Sequence, residues 1–263
     1  MTQRVYTRIG KSLGKDKLIP AEKIDEVASV VERQVRHARE LGAANVRVVA
    51  TAAIRQAANR DALVTAIESE AEVPADILSD DDEARLAFAG ATRMLAAPPA
   101  GTIGVVDVGG GSTEIAIGTV ETGVSWARSF PIGSGFLADS YLRSDPPSVR
   151  ELEAVRAHAA GVFDGLHAPA VERGVACGGS AASLRRMAGA ELTHDALERA
   201  VRLLASAPRA EIAERFELDP ERVHLLPAGV LILDAASSAL GVPLKIGGGG
   251  LREGVVLELA SVT

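Results

Sequence analysis

Val105-Val106-Asp107-Val108-Gly109-Gly110-Gly111-Ser112-Thr113-Glu114 is the stretch on which the reading of this chain turns. An apolar strand closes on an aspartate, three glycines turn the chain, and two hydroxyls and a second carboxylate open the next strand. Glycine lets a backbone approach an anion closely and adopt positive φ. Successive N–H groups in such a turn make an anion-binding concavity, here from Gly109 to Thr113. Asp107 and Glu114 offer hard oxygen ligands of the kind that hold Mg²⁺ against phosphates. The same residues also read as a glycine-rich hairpin turn with incidental carboxylates.

Working outward, Ser112 to Ile117 alternates polar and apolar, and Val124 to Phe130 pairs with it as an antiparallel hairpin. Helices are expected over 134–142 and 147–163, then a strand from Val171 to Cys177 ending in Gly178-Gly179, then helix to Met187. The remainder reads mostly as helix, broken by Leu244-Lys245-Ile246 and the run Gly247 to Gly250. Upstream, Ile24, Val27, Val31, Val35, Ala38 and Leu41 line one face of a helix that Pro20 opens and Gly42 stops. Val46 to Ala50 and Ala75 to Leu78 read as short strands, with helices over 59–71 and 81–96. Strand, helix, strand, helix predicts parallel pairing. Ala97-Pro98-Pro99-Ala100-Gly101 reads as a linker. Two α/β domains follow from it, residues 1–97 and 102–263, with the last helix packing back on the first domain.

Two further segments carry chemistry. In Leu78-Ser79-Asp80-Asp81-Asp82-Glu83-Ala84-Arg85-Leu86, Ser79 and the acidic run suit a helix start and its dipole. Clustered carboxylates also raise one another's pKa, which is how a general base is tuned, and Glu83 fits the capping reading least well. Arg55, in Thr51-Ala52-Ala53-Ile54-Arg55, stands just past a strand's carboxyl end, where α/β proteins bind ligands; it reads equally as a surface arginine.

Composition removes other classes. The 263 residues are 47% hydrophobic and 24% charged, as in an ordinary globular protein. A formal charge of −7 makes specific nucleic acid a poor partner, and 3% aromatics leave little for a base-stacking platform along a single strand. One cysteine, Cys177, excludes an internal disulfide and a Cys-rich zinc site. Cys177 and Trp126 read as packing residues, and the histidines show no ligand spacing. No run of eighteen apolar residues and no apolar leader is present, so no membrane partner and a cytoplasmic location are expected.

Taken together, these segments resemble the exopolyphosphatase/guanosine pentaphosphate phosphatase (Ppx/GppA) family of the acetate kinase–Hsp70–actin superfamily. Thr51 to Ala57 is similar to its T-S-A-V-R-x-A segment, Leu78 to Leu86 to S-G-x-E-E-A-R-L, and residues 106–114 to I-D-I-G-G-G-S-T-E. Phe130 to Gly135 resembles a P-x-G-x-x-R/G loop, and Ala176 to Ser180 the superfamily's nucleotide-side glycine turn. Leu226 to Gly229 and Gly250 to Gly254 resemble L-P-x-G and G-L-R-E-G. The resemblance implies two actin-like (ribonuclease H-like) α/β domains flanking a cleft. It implies Glu83 as general base, Arg55 facing phosphates, Gly109, Gly110, Gly111, Ser112 and Thr113 as a phosphate loop, and Asp107 and Glu114 at a Mg²⁺ site. The implied reaction is hydrolysis of terminal phosphoanhydride bonds of polyphosphate or guanosine pentaphosphate, with a homodimer as the protein partner allowed for.

Asp80 stands where the family usually has Gly, and Asp82 where Glu is common. Nothing in residues 1–20 matches the family's D-x-G-T/S-N-S hairpin, and Tyr6 to Gly10 resembles the strand that follows it. By this reading the chain lacks the first phosphate loop and is short by roughly thirty to forty residues. A rival reading is therefore a catalytically impaired nucleotide- or polyphosphate-binding protein. A sugar-kinase or Hsp70-like ATPase is a second, against which Glu83 in its E-A-R-L setting argues.

Overall fold

A computed structural model describes residues 5, 7–13, 16–95 and 100–261. They divide into two compact units, Met1–Ser79 and Asp80–Thr263.

The first unit holds α1 (Ile9–Ser12), α2 (Ala21–Glu40), β1 (Val48–Ala50), α3 (Ala52–Arg55), α4 (Arg60–Ala71) and β2 (Ala75–Ile77). β1 and β2 are parallel, with Val48 opposite Ala75 and Ala50 opposite Ile77, as the alternation of elements predicts. α2 packs on α4 through Val27, Ala28, Leu63 and Ile67, and Ile19 closes the same cluster. Asn59 fixes the approach to α2 by accepting from the Ile19 N–H at 2.8 Å and donating to its carbonyl at 2.9 Å. Gly42, at φ 87°, ends the helix as expected. The strand expected at Tyr6 to Gly10 does not form among the described residues. Ile9–Ser12 is helical instead, and Tyr6 lies outside the described residues. A strand needs a ladder partner for its backbone groups, and among the described residues β1 pairs with β2 alone.

The second unit is built on a six-stranded sheet in the order β5-β4-β3-β6-β8-β7. Its strands are β3 (Ile103–Val108), β4 (Thr113–Thr119), β5 (Gly123–Phe130), β6 (Arg173–Cys177), β7 (Glu191–Leu192) and β8 (Leu244–Ile246). The hairpins β3–β4 and β4–β5 are antiparallel and β3 runs parallel to β6, so β3 is the hinge of a mixed sheet. One face packs Val106, Val108, Ile115 and Ile117 against helices that include α7 (Val149–Phe163) and α11 (Pro220–Leu240). By length and composition α11 could cross a membrane, but most of it is buried in this unit and it serves as the core helix.

The other face carries α5 (Asp80–Arg93), whose Ala84, Ala87, Phe88 and Ala91 pack on Ile103, Val105, Ala116 and Val175. That packing joins α5 to the second unit, so the units part between Ser79 and Asp80 rather than at the linker; Ala97, Pro98 and Pro99 lie outside the described residues. α12 (Leu251–Ser261) crosses α5 at glycines: a Cβ on Gly254 would fall 1.9 Å from the Leu86 carbonyl oxygen, and one on Gly90 2.0 Å from that of Gly250. The last helix thus packs on a helix that the linker reading gave to the first domain. Arg85 on α5 closes the crossing on Glu258 at 2.8 Å.

Candidate active site

Parallel pairing of β3 with β6 places Asp107 directly opposite Cys177, and each strand runs out into glycines at the same edge of the sheet. The two turns are built differently. Gly178 opens α8 (Gly178–Ala188) at φ 82°, and a Cβ there would lie 2.3 Å from Asp107 Oδ1. Only glycine lets that backbone seat itself against the carboxylate. Cys177 donates its thiol hydrogen to the same carboxylate.

Gly109, Gly110 and Gly111, by contrast, are not in the left-handed region that the sequence suggested for them. Close approach is required at Gly109, where a Cβ would lie 3.1 Å from the Ser112 carbonyl oxygen. Gly109 N–H donates to the Ser112 carbonyl at 3.0 Å, closing the hairpin. The Gly109 carbonyl accepts from Ser134 N–H and the Gly110 carbonyl from Gly135 and Phe136 N–H, all at 2.9–3.0 Å. The first amides of α6 (Ser134–Tyr141) are thereby satisfied, and the loop is clamped to that helix. A Cβ on Gly133 would fall 2.4 Å from the Gly110 carbonyl, while Cβ atoms on Gly110 and Gly111 would meet nothing within 4 Å. The loop is tight on its helix side and open on the other.

Glu83 comes from the first turn of α5 and Glu114 from β4, both buried. Burial first, and then the nearby Glu83, push Asp107 up to about 6. The same two causes push Glu114 up to about 7. Ser112 and Ser129 hydroxyls donate to Glu114, the latter at 2.8 Å, and pull the other way. Charged carboxylates gathered in a poorly hydrated place repel one another and favour protonation or a cation. That donor set fits a hard divalent ion.

The structure therefore brings together Glu83, Asp107, Glu114 and the Gly109–Thr113 loop in the second unit. The hydroxyls at the loop's end are structural: Thr113 Oγ1 donates to the Ile132 carbonyl at 2.7 Å, and Ser112 holds Glu114. Arg55 is in the first unit, where its guanidinium donates to the Leu78 carbonyl at 2.7 Å.

Three further residues stand beside this set, and the sequence alone assigns none of them a role in it. Glu253 caps the start of α12 by accepting from Gly250 N–H at 2.8 Å, and its charge adds to the upward push on Asp107. Cys177 is pushed well above the thiol range by burial and by Asp107, so it acts as a donor rather than a nucleophile. Arg222 lies over Gly179, where a Cβ would come within 2.7 Å of its guanidinium nitrogens. The sequence signal for all three was the second glycine turn and the G-L-R-E-G segment.

A different polar cluster sits on the helical face. His194 and Glu198 on α9 (His194–Leu204) and Asp234 on α11 lie close enough to hold a metal ion, a juxtaposition that the sequence spacing of the histidines does not reveal. Arg156 of α7 already bridges the two carboxylates, at 2.5 Å to Glu198 and 3.1 Å to Asp234, and His194 meets Asp234 at 2.8 Å. It is an ion-pair clamp across three helices.

Residues 1–262 match the profile of the Ppx/GppA phosphatase family. Exopolyphosphatase 1 of Mycobacterium tuberculosis is 30% identical over 262 residues, which span 93% of this chain and 73% of that protein. The crystal structure of the Aquifex aeolicus Ppx/GppA family member superposes with a TM-score of 0.80 at 24% identity, over 100% of this chain and 89% of that one. A Cytophaga hutchinsonii exopolyphosphatase superposes with a TM-score of 0.81 at 19% identity, over 95% of this chain and 87% of that one.

Proposed function

This chain belongs to the Ppx/GppA phosphatase family, and on that premise we propose that it hydrolyses the terminal phosphoanhydride bonds of inorganic polyphosphate or guanosine pentaphosphate. The carrying observation is the buried pair Glu83 and Glu114 with the half-buried Asp107, beside an open glycine loop clamped to α6. Asp107 and Glu114 would hold Mg²⁺, which offsets the charge of the phosphates when bound. Glu83 takes the proton of the attacking water as the reaction's base. The Gly109–Thr113 loop orients the terminal phosphate, and its rigidity on α6 keeps that orientation fixed as charge redistributes. Gly178 and Cys177 hold the Asp107 carboxylate in place. Arg55 is proposed to contact substrate phosphates, so Arg55→Ala raises KM.

The test is orthophosphate release from polyphosphate and from guanosine pentaphosphate by the purified chain, with Mg²⁺ and with EDTA. Metal-dependent release from either substrate supports the reading. Tight binding of both with no release favours the impaired binding protein instead.

A further inference from the structure

The rim of the glycine loop carries an aromatic ring that the chemistry above does not use. Phe136 lies on the first turn of α6 and donates its N–H to the Gly110 carbonyl at 3.0 Å, so its backbone is part of the loop's clamp. Its side chain is 48% exposed. That is unusual in this chain, where Phe88, Phe130 and Phe163 are buried and Phe216 is half-buried.

The ring is nonetheless held in place. It meets His158 of α7 edge-to-face with centroids 6.0 Å apart. His158 meets Tyr141 in the same way at 5.6 Å, and its Nδ1 is 2.9 Å from the Tyr141 hydroxyl. A ladder of three rings thus ties α6 to α7 and fixes the Phe136 ring on His158, while its backbone stays bonded to the loop.

We propose that Phe136 is a specificity-determining residue, stacking the base of a nucleoside polyphosphate whose terminal phosphates lie on the Gly109–Thr113 loop. The loop suits an anion and the ring suits a flat apolar face; a nucleoside polyphosphate carries both, whereas linear inorganic polyphosphate carries only the first. Stacking is tolerant of base identity, so Phe136 selects for a base without choosing which. The inference rests on the phosphoanhydride hydrolysis proposed above.

The experiment compares kcat/KM for guanosine pentaphosphate with kcat/KM for a short inorganic polyphosphate in wild type, Phe136→Ala and Phe136→Tyr. The ratio of nucleoside to inorganic substrate is expected to fall about tenfold or more in Phe136→Ala, chiefly through KM, and to recover in Phe136→Tyr. Equilibrium dialysis of labelled GTP is expected to show the same order of affinities. An unchanged ratio, or an equal loss on both substrates, overturns the proposal. So does a change in sedimentation of Phe136→Ala with the ratio intact, which would give the ring to a protein contact. If wild type hydrolyses neither substrate yet Phe136→Ala weakens GTP binding, the hydrolysis reading fails and the stacking role stands.

Discussion

Two groups of buried and half-buried carboxylates in the same unit have opposite electrostatic surroundings. Asp234 and Glu198, on the helical face, are matched by Arg156 and His194 of the chain itself. Asp107 and Glu114, at the sheet edge, are met by a thiol and two hydroxyls and face Glu83, and both are pushed up in pKa. The first group is complete as it stands and joins α7, α9 and α11. The second is unfavourable until a proton or an added cation arrives, and folding tolerates it because the surrounding strands and glycine turns over-determine it. Under the proposed function, it is this second, proton- or cation-seeking group that carries the chemistry.

The contrast breaks most visibly at Asp107. Asp107→Ala is expected to reduce Mg²⁺-dependent phosphate release to background, while the metal-free melting midpoint at pH 8 holds or rises because a repulsive charge is gone. Loss of stability with activity retained would invert the account. Next in size is Gly178→Ala, which combines a left-handed backbone with a Cβ 2.3 Å from Asp107 Oδ1. Relieving that overlap displaces the carboxylate by about 1 Å, a misplacement that can cost about 10²-fold in rate, measurable in the same assay. Wild-type turnover would show that the seat of Asp107 is looser than drawn.

A pH series sharpens the comparison thermodynamically. Asp107 and Glu114 have folded-state values of about 6 and 7, above their ordinary ones of 3.8 and 4.5. The folded chain therefore holds more protons than the unfolded chain in that window. Their contribution to stability is full below about pH 4 and is lost as pH rises through 6 to 7. Mg²⁺ is expected to raise the midpoint by several degrees at pH 8 and little at pH 5, because protonated carboxylates do not bind it. Equal shifts at both pH values would place the cation elsewhere. The smallest effect belongs to the clamp. Asp234 holds the exposed His194 above the usual imidazole range, so their attraction is full below that range and disappears as pH rises through the raised value. His194→Gln should lower the midpoint slightly at pH 6 and not at pH 9; a thermal scan at both values checks it, and an exposed pair sets the modest scale.

Much of this was legible in the sequence for stated reasons. Alternation around Gly109–Gly111 announced the hairpin, and the paired strand-helix units before residue 80 announced parallel pairing. The glycine loop is legible in the sequence but its mechanism is not: the left-handed turn is at Gly178, and the close approach belongs to Gly133, whose Cβ would strike the Gly110 carbonyl. Local pattern does not show which strand ends share an edge, so Cys177 beside Asp107 was unreadable until β3 paired with β6. The division at Ser79 was hidden for a similar reason, because a Pro-rich linker is a local signal and the allegiance of α5 is a packing property. Glu253 needed the glycine-to-glycine crossing of α5 and α12 to come near the site.

The most direct measurement sets Glu83→Gln beside His194→Gln in one assay of orthophosphate release from polyphosphate with saturating Mg²⁺ at pH 8. Removing a general base typically costs about 10²–10⁴-fold. Glu83→Gln is expected to lose that much with substrate affinity retained, and His194→Gln to keep the wild-type rate. Wild-type turnover in Glu83→Gln, or a comparable loss in His194→Gln, would contradict the proposed assignment of the chemistry to Glu83, Asp107 and Glu114.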